Sequence, residues 1–198
     1  GDWYYRKGET YKTATQVIQM LVDIVSKNGN LLINVVQKAD GEITPEAQKA
    51  LEQMAGWMAI NGESIFATRP WQVYGEGPAV EEKPEAGRFG GAKDVRSKPY
   101  VAEDLRFTRS KDGKTLYAIA MAWPKGALTV KSARVTKAAA NAEVRLLGHP
   151  TPLRHRVNEA GALVVDFPDK APCEHAYALK ITGFEFAPAV PRTVKASE

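Results

Sequence analysis

An almost wholly apolar run, Leu31 to Val36 (LLINVV), constrains the fold of this chain more than any other feature. A run of this length and composition predicts a strand that is buried on both faces of a sheet. Amphipathic helices flank it, because apolar residues recur at helical spacing on either side. A buried strand needs a hydrogen-bonded neighbour on each edge, since unpaired buried backbone groups are costly. The only strand-like segment upstream is the short DWYY, residues 2–5, so the sequence predicts one slice of a larger α/β structure.

Local signals indicate where the two predicted helices begin and end. Thr13 and Gln16 fit a capping box at the start of the first helix, and Asn28 supplies the left-handed residue that ends it. Thr44 caps the second helix, with Pro45 at the first helical position, where its missing N–H costs nothing. The apolar stripe predicted for the first helix consists of Val17, Met20, Leu21, Ile24 and Val25. The stripe predicted for the second consists of Ala47, Leu51, Met54 and Met58.

From about Trp71 onward, short strand candidates alternate with turns, a pattern typical of an antiparallel β-sandwich. The clearest turn is Asp112-Gly113, because an Asp-Gly pair suits the positive φ that a tight hairpin demands. Residues 75–100 are rich in Gly, Pro and charge, and they predict a long exposed connection between the halves. The strand candidates are Trp71–Tyr74, Leu105–Ser110, Thr115–Trp123, Leu128–Val135, Glu143–Leu147, Leu153–Val157, Ala162–Phe167 and His175–Phe186.

Charge and cysteine content exclude several classes of protein. The 27 Lys and Arg are interleaved with 23 Asp and Glu, and the net charge is only +4, so a basic patch for nucleic acid is not expected. One cysteine, Cys173, excludes an internal disulfide and a Cys-rich metal site. The three histidines lack paired spacing and make a poor zinc site. No apolar run approaches the roughly 18 residues that span a membrane, which predicts a soluble chain.

Residues 26–71 resemble a known family. The stretch SKNGNLLINV…ADGEITPEAQKALEQMAGWMAINGESIFATRPW is similar to the pattern SKGGNLLLNVGPKADG.I, then a helix, then G.W…NGE.IY.T.PW, of the α-L-fucosidases of glycoside hydrolase family 29. DWYY is similar to the family's SWGY, and VYGEGP and EDLRFT also recur in members, so that the resemblance covers most of residues 3–124. There are two departures, which leave the details of substrate recognition open. Val36-Gln37 replaces the Gly-Pro of NVGP, and Tyr4 replaces the small residue of SWGY.

The resemblance implies a C-terminal slice of a (β/α)₈-like barrel followed by an antiparallel β-sandwich. The expected division is residues 1–68 for the last helix–strand–helix segment of the barrel, 69–103 for a junction and linker, and 104–198 for the sandwich. The implied activity is retaining hydrolysis of terminal α-L-fucosyl linkages, without a metal or organic cofactor. A retaining mechanism uses two carboxyl groups about 5 to 5.5 Å apart. In the family, these carboxyls and the fucose-binding histidines precede the matched region, so no catalytic residue is assigned to this chain.

Three positions remain as site candidates. The family places an aromatic residue at Trp3 as an apolar wall for the sugar, and the alternative is that Trp3 is packed in a core. Asp40 and Glu42 follow the predicted buried strand, at the rim where barrel active sites open. They are fallback catalytic carboxylates only, because Asp40-Gly41 also fits a turn and Glu42 a solvated charge. Glu63 is expected to form a structural ion pair with Arg69 at the junction.

The alternative function is a non-catalytic β-sandwich, acting as a structural or carbohydrate-binding module of a glycosidase. Under the fucosidase reading, the expected partners are a fucosylated glycan or fucoside substrate and the missing N-terminal barrel portion. Self-association into an oligomer is the other possibility, because uncovered apolar surfaces drive association. Neither nucleic acid nor a membrane is an expected partner.

Overall fold

The structure, a computed structural model, describes residues 3–83 and 96–189. The two main helices precede all seven strands that the structure describes. The helices are α1 (Ala14–Ser26), α2 (Pro45–Asn61) and the short α3 (Pro78–Glu81), and a 3₁₀ turn, Gly62–Ser64, follows α2. The strands are β1 (Thr68–Glu76), β2 (Leu105–Ser110), β3 (Thr115–Ala120), β4 (Ala127–Leu146), β5 (His155–Val157), β6 (Ala162–Asp166) and β7 (Tyr177–Pro188).

The predicted signals at the helix ends are confirmed. Thr13 Oγ1 accepts a hydrogen bond from the Gln16 backbone N–H at 3.2 Å, and Gln16 Oε1 accepts one from the Thr13 N–H at 2.9 Å. Thr44 Oγ1 accepts from the Ala47 N–H at 3.3 Å, with Pro45 at the first helical position. Beyond α1, Asn28 adopts a positive φ of 67°. These contacts satisfy backbone groups that a helix terminus leaves unpaired.

The strands form one antiparallel sheet in the order β1-β2-β3-β7-β4-β6-β5. β4 pairs with β6 through its first half and with β7 through most of its length, so the sheet continues round into a second layer. Side chains of β2, β3, β4, β6 and β7 share one apolar core, which is the interior of the predicted β-sandwich. The largest fully buried members of this core are Leu105, Phe107, Val130, Leu146, Leu163, Leu179 and Ile181.

β3 is the central strand of the molecule because both of its faces are buried. Successive side chains of a strand point to opposite sides. One side faces the sandwich interior and consists of Leu116, Ala118 and Ala120. The other faces the helices and consists of Tyr117, Ile119 and, just after the strand, Met121. The helical side of this second core is supplied by Ala14, Ile18, Val22, Trp57 and Ile65. The chain therefore has three layers, with the helices on one face of the sandwich.

The structure contradicts the predicted buried strand at Leu31–Val36. Residues 31–36 form neither helix nor strand, and Leu32 is 85 % exposed, with Ile33 and Val35 also exposed. The upstream segment at residues 3–5 is likewise no strand. Within the described ranges, these segments have no sheet neighbour, and an apolar run can become a buried strand only where neighbours pair with both edges. The barrel-slice expectation is thus confirmed only for the two helices that flank the run.

The helix faces also differ from the predicted stripes. On α1 the buried residues are Ala14, Val17, Ile18, Val22 and Ser26, whereas Met20 and Ile24 are half-buried. On α2 the buried residues are Ala47, Trp57 and Asn61. The buried faces of the helices differ from the predicted stripes because the helices pack on β3 and the start of β7. Periodicity within a helix does not identify that surface.

The two strands predicted at Leu128–Val135 and Glu143–Leu147 are one strand, β4, whose pairing with β7 is interrupted by register shifts. Gly183 of β7 lies opposite the irregular stretch with φ of +75°, and a Cβ there would lie 2.7 Å from the Ala142 Cα. Glycine alone accepts both conditions, so the strand continues between the two predicted segments. The Asp112-Gly113 turn is confirmed, with Gly113 at φ of +72°.

The predicted exposed connection, residues 75–100, is described only in part, because 84–95 lie outside the described residues. Its start continues β1 and forms α3, and β1 itself is an edge strand of the sheet. In the part of the chain that the structure describes, no helix is long and apolar enough to cross a membrane.

Candidate functional site

The candidate aromatic Trp3 lies beside the exposed apolar run. Its side chain is 77 % exposed, and its carbonyl oxygen accepts a hydrogen bond from Asn34 Nδ2 at 3.2 Å. Asn34 is the polar interruption in the run, and this contact ties residues 3–5 to residues 31–36. We call the exposed set Trp3, Leu32, Ile33 and Val35 the apolar edge. Trp3 therefore does not pack in a core of this chain, and its ring is available for a ligand or for a further part of a protein.

Asp40 and Glu42 occupy a tight exposed loop. The Glu42 backbone N–H donates to Asp40 Oδ1 at 3.0 Å, which is the turn chemistry that an Asp-Gly pair favours. Lys38 Nζ contacts both carboxylates, at 3.4 Å from Asp40 Oδ2 and 2.7 Å from Glu42 Oε2. A bridge between Gln37 and Ile43 closes the loop.

The electrostatics of this loop favour ionised carboxylates. The hydrogen bond from the Glu42 N–H lowers the pKa of Asp40, and the hydrogen bond from Lys38 lowers the pKa of Glu42. The same hydrogen bond to Glu42 raises the pKa of Lys38. A general acid needs a carboxyl whose pKa is raised so that it holds a proton near neutral pH. In this loop the pKa values of both carboxyl groups are lowered, so neither group is suited to act as a general acid.

The junction residue Glu63 has a different partner from the predicted one. Its Oε2 accepts from Lys180 Nζ of β7 at 2.8 Å, while Arg69 donates to the Thr68 carbonyl oxygen. The Arg69 prediction is wrong, because Glu63 pairs instead with a lysine of β7 that is distant in sequence. Glu63 also contacts the Tyr117 phenol, and burial together with that carboxylate raises the pKa of Tyr117 to about 12. The contact still joins the helical layer to the sheet.

The three histidines are dispersed. His149 Nδ1 contacts the Thr151 carbonyl oxygen, His155 stacks edge-on with Phe184, and His175 contacts Thr15. No cluster of three metal-ligating side chains occurs among the residues that are described. Asn61 and Cys173 are neighbours, at 3.5 Å between Asn61 Nδ2 and Cys173 Sγ, and burial raises the pKa of the Cys173 thiol.

Sequence reasoning missed the two contacts that hold the helices on the sheet. Trp57, buried between α2 and the sheet, donates its indole N–H to the Ala176 carbonyl oxygen at 2.8 Å. Arg106 of β2 is buried and donates from Nε to Asp23 Oδ1 of α1 at 2.6 Å. The signal for Arg106 was a charged residue inside the otherwise apolar start of a strand, which is rare without a partner. Nothing local indicated that Asp23 was that partner.

Comparisons with known proteins cover nearly the whole chain. The family model for α-L-fucosidase matches residues 1–63, and the model for the α-L-fucosidase C-terminal domain matches residues 98–182. The chain is 30 % identical to the plasma α-L-fucosidase of Pongo abelii over 189 residues, covering 91 % of this chain and 35 % of that protein. It is 29 % identical to the human tissue α-L-fucosidase over 190 residues, covering 92 % of this chain and 35 % of that protein.

A solved structure supports the same assignment. α-L-Fucosidase isoenzyme 1 from Paenibacillus thiaminolyticus superimposes with a TM-score of 0.64 at 27 % identity, covering 92 % of this chain and 37 % of that one. The chain belongs to the α-L-fucosidases of glycoside hydrolase family 29 and matches the C-terminal portion of their sequence. It spans about a third of the length of the curated relatives that it matches.

Proposed function

We propose that this chain is part of an enzyme that hydrolyses terminal α-L-fucosyl linkages of glycans with retention of configuration. The proposal rests on family membership, and one observation in this chain carries it. The Trp3 ring is exposed, and the Asn34 side chain ties its backbone to the apolar run at residues 31–36. In a barrel, the ends of strands from separate segments meet at the catalytic face. Residues 3–5 and 31–36 lie side by side, and an exposed indole on one of them is consistent with a place at that face.

Within that enzyme, Trp3 provides an apolar wall for the fucosyl unit. A sugar ring has an apolar C–H surface and polar edges, and an aromatic face covers the first while leaving the second for hydrogen bonds. The nucleophile and the acid/base carboxyl come from barrel segments outside this chain. Asp40 and Glu42 are poor substitutes, because both contact Lys38 and both pKa values are lowered.

The same proposal assigns a role to each part of the chain. We assign residues 1–68 to the closing part of the barrel, 69–103 to the junction and linker, and 104–198 to the sandwich, with β1 adding an edge strand to the sandwich sheet. The apolar edge is the surface that the N-terminal barrel portion covers, since it exposes Leu32, Ile33 and Val35 together. Where that portion is lacking, a second copy of the chain is the substitute partner.

The test is the rate at which the purified 198-residue chain hydrolyses an aryl α-L-fucoside, alone and joined to the N-terminal barrel portion. We expect no turnover above background for the chain alone and ready turnover for the joined protein. In the joined protein, Trp3→Ala lowers kcat/KM about tenfold, while Trp3→Phe retains most of it, because truncating an aromatic anchor removes its whole contact area. Phe66→Ala, which removes another exposed aromatic ring, is the matched control and leaves the rate unchanged.

Two results would contradict the proposal. A joined protein without activity on any α-L-fucoside overturns the fucosidase function. Turnover by the chain alone that disappears in Asp40→Asn or Glu42→Gln overturns the assignment of the chemistry to the barrel portion.

A further inference from the structure

A groove runs along the boundary between the helical layer and the sandwich. Its volume is about 1120 Å³, slightly above the roughly 300–1,000 Å³ typical of small-ligand sites. One wall consists of residues 5–15 and the N-terminal half of α2, and the other consists of residues 121–123 and 174–177. Boundaries between packed units are where ligand sites most often occur.

Aromatic rings in this groove are rigidly held. Trp123 packs edge-on against Phe167 and Tyr177, with ring centroids 5.3 Å and 4.8 Å apart. A ring fixed from both sides loses little conformational freedom when a ligand binds on its open part. Tyr11 and Tyr177 also line the groove. Rings of this kind offer both an apolar surface and a polar atom to the same ligand.

The polar atoms of these rings are available to a ligand. Among residues 3–83 and 96–189, no acceptor bonds the indole N–H of Trp123 and no group bonds the Tyr177 hydroxyl. No buried side-chain nitrogen or oxygen in that part of the chain lacks a hydrogen bond, so both atoms reach open space. The structural indole of Trp57 differs, because it is buried and bonded to the Ala176 carbonyl oxygen.

His175 adds a strained residue to the same wall. It adopts φ of +80°, which is uncommon for a residue with a side chain. Its ring is only 9 % exposed, and Nδ1 lies 2.7 Å from Thr15 Oγ1 of α1. Burial lowers the pKa of His175 despite the Glu174 carboxylate at 3.9 Å, so the ring is neutral at pH 7. Strain of this kind persists only where surrounding contacts hold it, and it concentrates at ligand sites.

The charges lining the groove cancel. Three basic and three acidic side chains line it, which are Arg6, Lys12 and Lys49 against Glu9, Glu46 and Glu174. A groove for a polyanion would carry an excess of Lys and Arg, and this one carries none. Balanced charge, aromatic faces and unbonded N–H and O–H groups match a ligand with many hydroxyls, apolar ring faces and no net charge.

We propose that this groove binds a neutral oligosaccharide, namely the glycan chain that carries the fucosyl unit. The inference rests on the proposed function for the identity of that glycan, while the binding itself is testable without catalysis. Trp123 provides the stacking surface, and Gln53 of α2 provides an amide on the opposite wall. The ligand then contacts the helical layer and the sandwich at once.

Binding to the 198-residue chain is measured by isothermal titration with three probes, which are 2′-fucosyllactose, lactose and 3′-sialyllactose. We expect the two neutral sugars to bind with similar affinity and the sialylated one to bind no better. Trp123→Phe preserves the ring packing while removing the indole N–H and much of the stacking area, and we expect it to weaken binding about tenfold. Gln53→Ala weakens binding severalfold. Its control is Gln48→Ala on the same helix, where the amide bonds Glu52 outside the groove.

The outcomes separate this proposal from the fucosidase proposal. The proposed sugar site in the groove is wrong if neither lactose nor 2′-fucosyllactose binds. It is also wrong if Trp123→Phe binds them as tightly as the unchanged chain. Neither result affects the aryl fucoside assay. Stronger binding of the sialylated sugar would show that the ligand of the groove is not a neutral oligosaccharide. In the joined enzyme, Gln53→Ala raises KM for the fucosylated oligosaccharide by a larger factor than KM for the aryl fucoside. Equal factors for both substrates count against the groove.

Discussion

Arg106 joins the sheet to α1 through a buried ion pair with Asp23. Its side chain is 2 % exposed and that of Asp23 is 21 % exposed. The guanidinium also donates to the Leu105 carbonyl oxygen at 2.9 Å and lies over the rings of Tyr74 and Tyr100. A charge buried this deeply is tolerated only while its partner is present. Asp23 is therefore a structural carboxylate whose ionisation the fold requires.

We predict that Asp23→Asn lowers the free energy of unfolding by about 3 kcal/mol at pH 7, since it leaves the Arg106 charge buried without a counter-charge. Burial raises the pKa of Asp23, but Arg106 and Lys27 lower it more, so the net shift is downward. A carboxylate with a lowered pKa in the folded state stabilises above its unfolded pKa of about 3.9, and that stability is lost as the pH falls through the folded value. Urea denaturation between pH 7 and pH 3 measures both effects.

The control for this experiment is Asp169→Asn, which changes the net charge equally at an exposed loop position. We expect it to leave the unfolding free energy within about 0.5 kcal/mol of the unchanged chain. Paired replacement by Asp23→Leu and Arg106→Met should restore much of the loss, because apolar pairs often replace buried ion pairs without cost. Equal losses from Asp23→Asn and Asp169→Asn would show that net charge, and not the pair, is responsible.

At the scale of elements, the sequence predicted what local chemistry decides. The cap at Thr13, the proline after Thr44 and the Asp112-Gly113 hairpin each depend on residues within one turn of one another, and all three are confirmed. The bounds of β2 are also as predicted. Contacts between distant segments were not predictable in this way. Burial of residues 31–36 depends on neighbouring strands, and the partner of Glu63 is Lys180.

The candidate sites likewise include one part that the sequence predicted and one that it did not. The loop at Asp40 and Glu42 was predictable as a turn, and its hydrogen bonds agree with that reading. The groove at Trp123 and His175 was not, because it exists only where residues about 50 to 170 positions apart come together. Aromatic residues at strand ends are common in any sandwich core, so the sequence offered no signal that Trp123 faces an opening.

Trp57 attaches α2 to the sheet by a buried hydrogen bond. We predict that Trp57→Phe costs about 1 to 3 kcal/mol of stability, since it leaves the buried Ala176 carbonyl oxygen without its donor. Hydrogen exchange should show α1 and α2 opening more readily while the sandwich strands keep their protection, because the two cores are separate clusters. The matched control is Trp71→Phe in β1, where the ring is half-buried against Phe107. Uniform loss of protection in helices and strands would contradict this attachment.

At the scale of the whole molecule, the three layers leave the apolar edge uncovered. The apolar edge includes Leu32, which is 85 % exposed, and Trp3, which is 77 % exposed. Contiguous apolar surface of this kind marks a contact with another protein surface. The edge therefore decides whether the chain is stable as a monomer, independently of how well its own layers pack.

We predict that the isolated chain self-associates through the apolar edge, and that sedimentation velocity at micromolar concentration detects a dimer or larger species. Leu32→Lys places a charge at the most exposed position of the edge and should shift the chain to a monomer, because burying an unpaired charge costs several kcal/mol. Phe66→Lys, a matched change at an exposed ring outside the edge, should leave the association intact. A stable monomer of the unchanged chain, or equal dissociation by both variants, would show that the edge is not the contact. Suppression of the association in the protein joined to its barrel portion would identify that portion as the natural cover, because one surface cannot be buried by both partners at once.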